Sequence, residues 1–269
     1  MTSGSAHPQG GNPSWRPRGN KDFPWDEFDS ERYYERNYLE MHEVDARILR
    51  VTRDFFVRAY AEDRPERPWR GIDVGTGANL YPALSLLPFC ERIRLHEWSK
   101  HNVDWLSGEI SGGFREAWDQ FWGVLTEREP YAAVPDPRGR FEAMTEIVWG
   151  SVFELLPERI VQIGGPWDVG TMYFGAESMT EDEDEFQRAV EYFLRALNPG
   201  APFATAFMKN SEGYPVGGVK FPAVKVDAEK VSKHLDSLVY DFEVQEVEPD
   251  LTLRHGYEGM LIATGRRSG

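Results

Sequence analysis

Residues 73–82 read DVGTGANLYP, in which two closely spaced glycines follow an apolar-leaning segment, WRGI at 69–72. The next segment, ALSLLPF at 83–89, has the composition of a helix. A strand that runs into Gly-x-Gly and then into a helix is typical of a nucleotide-binding turn, because glycine lets a ligand lie against the backbone. The stretch therefore predicts an α/β domain with a nucleoside site at the end of its first strand.

The residues around this turn restrict the kind of nucleotide. A dinucleotide fingerprint requires a third glycine where Leu80 stands, and no Gly-Lys-Ser/Thr sequence follows the turn. Glu97 lies 20 residues after Gly77, at the end of a second predicted strand, RIRLHEW at 92–98. Its carboxylate is suited to accept hydrogen bonds from two ribose hydroxyls, and it would repel a 2′-phosphate. We therefore expect a nucleoside without a pyrophosphate, which disfavours an NAD-linked oxidoreductase.

Predicted strands and helices alternate through most of the chain. Further strands are expected at 167–175, 201–208, 242–248 and 259–265. Helices are expected within 30–60, at 79–87, from Ser99, in two pieces within 113–149, after a Thr180/Glu183 capping box and from Asp227. This order predicts a mostly parallel sheet with helices on both faces. The last two strands have no helix between them, so one of them should be antiparallel.

Composition excludes several classes of partner. The 269 residues carry a net charge of −15, so nucleic acid and anionic membranes are poor partners. There is one cysteine, no run of 18 apolar residues and no metal-like clustering of the six histidines. Residues 1–20 are rich in Gly, Pro, Ser and Asn. We predict a flexible tail at 1–20, one domain at 21–269 with cap helices at 21–60, and a cytoplasmic monomer or weak dimer.

Several segments together resemble the nicotinamide, phenylethanolamine and thioether methyltransferase family. They are FDSERYYERNY at 28–38, DVGTGANLY at 73–81, EWSKHNVDWL at 97–106, WDVGTMYF at 167–174, LNPGAPF at 197–203 and MKNSEGYPVGGVKFPAVKVD at 208–227. The GYPVGGVKFP form is similar to bacterial, actinobacterial-type members. The resemblance covers about residues 25–265. It implies a class I methyltransferase fold, Rossmann-like, with a seven-stranded mostly parallel sheet, an N-terminal helical cap and S-adenosylmethionine as cofactor, with S-adenosylhomocysteine as product.

The resemblance also implies cofactor contacts. Those near the methionine end and the glycine turn match Tyr33, Tyr38, Gly75, Thr76, Gly77, Tyr81 and Tyr173. Glu97 matches the ribose acid, Trp98 an adenine-stacking aromatic and Asn102 a polar contact. Ser151 stands where the family often has an aspartate near the adenine amine, and Val152 keeps the apolar neighbour.

The acceptor pocket matches the family less closely. The resemblance places it at Phe174, Glu177, Phe207, Ser211 and Tyr214. Phe207 stands where animal members carry a carboxylate that holds the substrate, and Ala176 occupies a second acidic position, with Glu177 one residue later. The cofactor is therefore better specified by the sequence than the acceptor.

Three functions are compatible with these residues. The first is methyl transfer to nitrogen of a small molecule, which needs alignment and a dry site and no nucleophilic side chain. The second is methylation of carbon or oxygen of a secondary metabolite, for which His101, Glu177 or Tyr214 would have to act as base. The third is binding of S-adenosylmethionine without catalysis. No catalytic residue is assigned from the sequence.

Overall fold

A computed structural model of the protein describes residues 16–249 and 256–269. Its nine strands are β1 Trp69–Val74, β2 Cys90–Glu97, β3 Thr145–Trp149, β4 Val169–Tyr173, β5 Pro202–Met208, β6 Tyr214–Val216, β7 Val219–Phe221, β8 Val239–Val247 and β9 Met260–Arg267. Its eight α-helices are α1 Ser30–Asn37, α2 Glu43–Asp63, α3 Tyr81–Leu84, α4 Lys100–Ser111, α5 Trp118–Leu125, α6 Pro137–Met144, α7 Glu183–Arg195 and α8 Ala228–Leu235. These counts refer to the two described ranges.

Seven strands form one sheet in the order β3-β2-β1-β4-β5-β9-β8. Strands β1 to β5 pair in parallel, whereas β9 runs antiparallel to both β5 and β8. The expected mostly parallel sheet with one antiparallel strand near its end is therefore confirmed. Because the strand order reverses between β1 and β4, the carboxyl ends of these two strands form the switch point where ligands bind in open α/β sheets.

Helices cover both faces of this sheet, and each face has its own apolar cluster. On β5, Ala204, Ala206 and Met208 belong to the cluster that includes α2, α3 and α5. Phe203 and Phe207 point the other way, into the cluster formed with α7 and α8. This alternation follows from the two-residue period of a strand, and it buries every residue of β5.

The structure corrects four local predictions. Residues 145–149 form strand β3 at the sheet edge, where we expected a helix; a short apolar run such as EIVW does not distinguish the two by periodicity. The hairpin β6–β7 was not predicted. Helix α3 is only four residues long, against an expected 79–87. Helix α7 is capped by Asp182, whose side chain accepts from the Asp184 backbone, and not by Thr180.

The N-terminal boundary also differs from the prediction. Residues 1–15 of the expected tail lie outside the described residues, but residues 16–20 lie against the start of α7. Arg18 forms an ion pair with Glu181 at 2.7 Å, and the Asn20 backbone donates to Glu185 at 2.7 Å. Within the described ranges, no helix combines the length and the apolar character that a membrane span requires.

Candidate functional site

The glycine turn at the end of β1 adopts a backbone conformation that favours glycine. Gly75 has φ of 68° and Gly77 has φ of 59°, both in the left-handed region. A Cβ added at Gly75 would lie 3.6 Å from the Cα of Gly175, which follows β4. The turn is tied to β2, since the Gly75 amide donates to the His96 carbonyl at 2.8 Å. The two glycines thus keep the switch point open between β1 and β4.

Glu97 is held in place by backbone groups around this turn. Its Oε2 accepts from the Gly77 amide at 2.8 Å, and its Oε1 accepts from the Ser99 amide at 2.7 Å. Asn102 donates to Oε1 at 3.4 Å. Burial raises the pKa of Glu97, while the hydrogen bonds from Ser99 and Gly77 oppose that rise. These backbone and side-chain donors fix the position of the Glu97 carboxylate beside the turn.

A cleft of about 860 Å³, here called the main cleft, opens at this edge of the sheet. The predicted site residues on its walls are Tyr33, Tyr38, Gly75, Thr76, Gly77, Glu97, Trp98, Asn102, Ser151, Val152, Tyr173, Phe174 and Tyr214. Residues from six separate parts of the chain are therefore brought to one place, although their individual roles remain predictions.

Four predicted site residues do not line the main cleft. Tyr81 is fully buried, donates its hydroxyl to Asp45 at 3.0 Å and stacks on Phe121. Phe207 packs against Phe186 on the opposite face of the sheet, because the alternation of β5 turns it away from the turn. Tyr81 therefore supports the wall from behind, and Phe207 belongs to the core instead of the acceptor pocket.

Glu177 and Ser211 are also set back from the main cleft. Both are fully buried. Glu177 Oε1 accepts from the Met208 amide at 2.9 Å and from the Ser178 hydroxyl at 3.0 Å, so this carboxylate joins the end of β5 to the segment after β4. His101, another residue considered as a base, is exposed on α4 and is not among the cleft residues.

The N-terminal segment and the β6–β7 hairpin cover part of the main cleft. Trp25 stacks on Phe221 with a centroid distance of 5.0 Å, and its carbonyl accepts from the Ser99 hydroxyl at 3.2 Å. Ser30 donates to the side-chain oxygen of Asn102 at 2.7 Å. These contacts link the predicted cap to α4 and to the hairpin, and they agree with a lid that limits the access of water.

Trp98 lines the main cleft at its more exposed end. Its ring stacks on Trp149 at 5.7 Å with an interplanar angle of 16°, and Trp149 donates its indole N–H to the Trp98 carbonyl at 2.7 Å. The sequence indicated an aromatic ring here, and Trp149 from β3 provides a second one beside it. The missed strand β3 is the reason that this pairing was not predicted.

Two further buried polar residues near the turn were not predicted as site residues. His96 lines the main cleft, its Nε2 lies 3.1 Å from the Ser151 carbonyl oxygen, and burial lowers its pKa. Asp73 lies beneath the turn and accepts from the Thr171 hydroxyl at 2.6 Å; burial raises its pKa to about 7. His96 precedes Glu97 in the sequence, which was the one local signal that pointed to it.

A second cavity, here called the side chamber, adjoins the main cleft and has a volume of about 560 Å³. The two share Tyr33, Tyr38, Phe174, Ser178 and Tyr214. The side chamber is further lined by Arg36, Asn37, Asp45, Met208, Pro215 and Met260. The main cleft and the side chamber thus meet at three tyrosines, Tyr33, Tyr38 and Tyr214.

The main cleft fits S-adenosylmethionine by its donor and acceptor groups. A fixed carboxylate, Glu97, lies beside the turn at Gly75–Gly77, and this turn admits close approach of a ligand to the backbone. The walls offer aromatic and apolar surface to a base, and three tyrosines lie toward the side chamber. Tyrosine ring faces are suited to a sulfonium cation.

Comparison with known proteins agrees with this geometry. The model of the NNMT/PNMT/TEMT family matches residues 19–265. No curated protein matches the chain. Among solved structures, N-methyltransferase NodS from Bradyrhizobium japonicum WM9, in complex with S-adenosyl-l-homocysteine, is similar with a TM-score of 0.49 and 12% identity, over 90% of this chain and 93% of that chain.

Two other solved structures show a similar level of likeness. An S-adenosylmethionine-dependent methyltransferase from Clostridium acetobutylicum ATCC 824 has a TM-score of 0.47 and 10% identity, over 81% of this chain and 91% of that chain. The 1,6-didemethyltoxoflavin-N1-methyltransferase of Burkholderia thailandensis has a TM-score of 0.44 and 13% identity, over 82% of this chain and 79% of that chain. The strand order and the family match establish a class I methyltransferase fold. The chain belongs to the NNMT/PNMT/TEMT family, and it is an S-adenosylmethionine-dependent methyltransferase of small molecules.

Proposed function

We propose that the enzyme methylates a nitrogen atom of a small-molecule acceptor that enters the side chamber. The observation that carries this proposal is the position of the side chamber beside the methionine end expected for the cofactor, with Tyr33, Tyr38 and Tyr214 shared by both cavities. An acceptor in the side chamber would face the main cleft across these rings. Both reactants would then be enclosed by the same three side chains.

The residues of the side chamber favour nitrogen over oxygen or carbon. A neutral nitrogen carries its own lone pair, whereas an alcohol or a carbon acid requires a base within reach of its proton. No histidine is among the described residues that line the side chamber, and the one carboxylate among them, Asp45, accepts from the Tyr81 hydroxyl at 3.0 Å. Burial raises the pKa of Tyr38 well above its ordinary value, so Tyr38 keeps its proton near neutral pH. The machinery around the acceptor is thus suited to alignment.

The chain's own residues would bind and orient the cofactor. We assign Glu97 to the ribose hydroxyls, Trp98, Ser151 and Val152 to the adenine end, and Tyr33, Tyr38 and Tyr173 to the methionine end. When bound, S-adenosylmethionine supplies the methyl group: the nitrogen lone pair forms the new N–C bond, the C–S bond breaks with its electron pair left on sulfur, and nitrogen then loses one proton to solvent. The lid formed by the N-terminal segment would exclude water during transfer.

The proposal is tested by transfer of an isotopically labelled methyl group. The purified protein is incubated with methyl-labelled S-adenosylmethionine and a small-molecule extract of the producing organism, and products are identified by mass spectrometry. We expect label in a small molecule whose fragmentation places the methyl group on nitrogen. Label on carbon or oxygen of a small molecule would show that the enzyme methylates that atom and not nitrogen. Label in a polypeptide would overturn the proposal of a small-molecule acceptor.

The matched control is Glu97→Gln, which keeps the size of the side chain and removes its charge. Hydrogen bonds to a charged group contribute about 1.5–3 kcal/mol each, so affinity for S-adenosylhomocysteine should fall by roughly 10- to 100-fold. When S-adenosylmethionine is limiting, the rate of methyl labelling by this variant should fall by a similar factor. Equal affinity of the variant and the wild type in calorimetry would remove Glu97 from the site.

We also propose that the enzyme acts as a cytoplasmic monomer or weak dimer without nucleic acid or membrane partners. The net charge of −15 supports this, because it opposes binding to phosphate backbones and to anionic lipid surfaces. Light scattering at micromolar concentration would test the oligomeric state, and fractionation of cells would test the location. A stable higher oligomer, or recovery with the membrane fraction, would contradict them.

A further inference from the structure

Three arginine side chains lie together on one face of the sheet, away from the main cleft. Arg70 of β1 pairs in register with Arg92 of β2, and Arg94 of β2 pairs with Glu146 of β3. Residues two apart on a strand share a face, so Arg92 and Arg94 point to the same side. They line a pocket, here called the arginine pocket, whose wall includes Arg70, Arg92, Arg94, Glu146, Gly164 and Trp167. As far as the chain is described, it shares no lining residue with the main cleft or the side chamber.

The arginine pocket carries more positive than negative charge, although the chain has a net charge of −15. Among the described residues, Glu146 is the one carboxylate on its wall. Its Oε1 accepts from Arg94 at 2.6 Å, and its Oε2 lies 3.7 Å from Nη1 of Arg92. The neighbouring Asp168 forms an ion pair with Arg67 at 3.0 Å, outside the pocket. Three guanidinium groups and one carboxylate leave a formal excess of two positive charges.

The register of β1 and β2 adds repulsion between two of these groups. Arg70 lies directly opposite Arg92, and like charges directly opposite each other on neighbouring strands are destabilising. The Arg94 side chain, next to them on β2, is only 15% exposed, so water screens its charge less than that of a surface residue. An anion bound between the three guanidinium groups would remove this repulsion.

The protein holds two of the guanidinium groups in fixed positions. Arg94 donates to the Ile163 carbonyl, and its guanidinium carbon lies 5.2 Å from the centroid of the Trp167 ring. Arg70 donates to the Gly164 carbonyl. The Nε–H of Arg94 is buried and has no hydrogen-bond partner within the described ranges. Because these side chains are already ordered, an anion would bind them at a lower cost in conformational entropy.

The segment that supplies these carbonyls leaves the pocket open to solvent. Residues 150–168 connect β3 to β4, are described throughout, and contain a short 3-10 turn at Val152–Glu154 but no α-helix. The other connections between consecutive parallel strands all contain α-helices. No helix of this connection therefore covers the arginines, and the Arg92 side chain stays 69% exposed. An anion can reach the pocket from solvent along Arg92.

We propose that the arginine pocket binds the phosphate group of a small phosphate monoester. Such a group carries a charge of about −1.5 to −2 at pH 7, which matches the excess of two positive charges. Its oxygens accept charge-assisted hydrogen bonds, and the planar guanidinium can donate two of them in parallel. The net charge of −15 opposes a long polyanion and thus favours a small ligand. This site is separate from the cofactor and acceptor sites of the proposed function.

A role limited to holding residues 150–168 is distinguished through Arg92. In the described structure its side chain pairs with Glu146 and forms no hydrogen bond to that segment, so Arg92→Gln removes one charge and none of the support. The matched control is Arg67→Gln, since Arg67 is 54% exposed and lies outside the pocket. Glu146→Gln keeps an oxygen that accepts from Arg94 and removes the negative charge that would repel a phosphate.

The experiment measures binding of methyl phosphate and of acetate by calorimetry, near neutral pH and at constant ionic strength. S-adenosylhomocysteine is present at saturation, so that the main cleft is occupied. We expect a dissociation constant of about 1 mM or lower for methyl phosphate, and binding at least about tenfold weaker for acetate. Arg92→Gln should weaken binding of methyl phosphate by about tenfold, and Glu146→Gln should tighten it by about threefold. Arg67→Gln should stay within about twofold of the wild type.

Thermal unfolding shows that each variant is folded before its affinity is compared. Lack of methyl phosphate binding to the wild type at about 10 mM, equal binding of acetate, or unchanged affinity in Arg92→Gln would overturn the proposal. Weaker binding by Glu146→Gln would also contradict it, because a purely structural role predicts no gain from the loss of that charge. Tighter binding of an RNA oligonucleotide than of methyl phosphate, lost in Arg92→Gln, would overturn the assignment to a small molecule.

Discussion

The main cleft and the side chamber share five lining residues, and they differ in the groups that form the rest of their walls. In the main cleft the central contacts are made by backbone groups, such as the Gly75 amide with the His96 carbonyl and the Gly77 amide with Glu97. These groups lie at the ends of β1 and β2, which pair along their whole length. The side chamber is lined by residues in or next to α1, by residues of α2, β5, the hairpin and β9, and by the segment after β4.

Because of this difference, the cofactor in the main cleft and the acceptor proposed for the side chamber can be recognised independently. Strand pairing fixes the backbone geometry at the edge of the sheet. The main cleft should therefore accept one kind of ligand and tolerate few substitutions at the glycine turn. Walls formed by side chains can be replaced one at a time without moving the sheet. We therefore expect changes at the glycine turn to be severe, and changes in the covering segments to be graded.

The largest expected effect concerns Asp73, which lies beneath the turn. The folded protein holds its proton up to about pH 7, whereas the ordinary value is 3.8. Between these values the folded state binds more protons than the unfolded state, so the free energy of unfolding should fall by about 1.4 kcal/mol per pH unit as pH rises. Asp73→Asn should lose this dependence and be more stable than the wild type by up to about 4 kcal/mol above pH 7.

Urea denaturation at pH 5, 6, 7 and 8 measures this effect. The control is Asp104→Asn, which replaces an exposed aspartate on α4 and should leave the pH profile of the wild type unchanged. Parallel profiles for the wild type and Asp73→Asn would show that the Asp73 carboxyl is not protonated in the folded state, and would contradict the prediction.

Replacement of Gly75 by valine should impair binding in the main cleft. A β-branched residue at φ of 68° is strained, and its side chain would enter the gap toward Gly175. We expect affinity for S-adenosylhomocysteine to fall by more than about 100-fold, equivalent to roughly 3 kcal/mol. Calorimetry measures the affinity, and thermal unfolding confirms that the variant is folded.

A glycine in an ordinary helix provides the matched control for this variant. Gly108 lies in α4, and a Cβ added there would have no neighbour within 4 Å. Gly108→Ala should therefore bind the cofactor normally and gain up to about 1 kcal/mol of stability from helix propensity. Normal binding by Gly75→Val would mean that the turn does not approach the ligand.

The main cleft was more predictable from the sequence than the side chamber because its signals are local. The end of a strand, two glycines and the start of a helix lie within ten consecutive residues, and Glu97 ends the next strand. Such patterns follow from backbone chemistry and need no knowledge of distant contacts. The mostly parallel sheet was predicted for the same reason, from alternating segments of strand and helix, whereas its count of seven strands was implied by the family resemblance.

The parts that were missed depend on contacts between distant segments. Strand β3 pairs with β2, and its β-branched residues Thr145, Ile147 and Val148 were a local signal for a strand that hydrophobic periodicity alone did not register. Phe207 was expected near the acceptor, but the register of β5 decides which face it occupies. Asp45 reaches the side chamber only through the packing of α2, and a helical position at 45 gives no sign of this.

In the covering segments we expect a moderate effect from Trp25. Its ring stacks on Phe221, and its indole N–H donates to the Asn20 carbonyl at 2.8 Å, so it joins the N-terminal segment to the hairpin. Trp25→Ala should raise the dissociation rate of S-adenosylhomocysteine by about 10-fold, since an aromatic pair contributes about 0.5–1.5 kcal/mol beyond its buried area. Stopped-flow fluorescence measures this rate.

Trp25→Phe is the matched variant, because it keeps an aromatic ring and loses the indole donor. It should dissociate the ligand more slowly than Trp25→Ala and faster than the wild type. An unchanged rate in Trp25→Ala would mean that the N-terminal segment does not retain the ligand, and the graded response expected of the covering segments would then be absent.

The smallest effect is expected at Arg18, which anchors the same segment from the surface. Its side chain is 57% exposed and pairs with Glu181, which is 31% exposed. Pairs of this kind contribute only about 0.2–1 kcal/mol and are screened by salt. The Arg18 carbonyl also accepts from the Glu181 amide at 2.9 Å, and an alanine at this position would keep that bond.

Arg18→Ala should therefore change the dissociation rate of S-adenosylhomocysteine by less than about threefold at 0.15 M salt. Glu181→Gln and the double variant complete a cycle in which the two changes should not add, because either one removes the same pair. The difference from the wild type should vanish at 1 M salt, where the Debye length is about 3 Å. A tenfold effect that persists at high salt would place the anchor of the lid at Arg18 itself, and the N-terminal segment would then resemble the main cleft in its sensitivity.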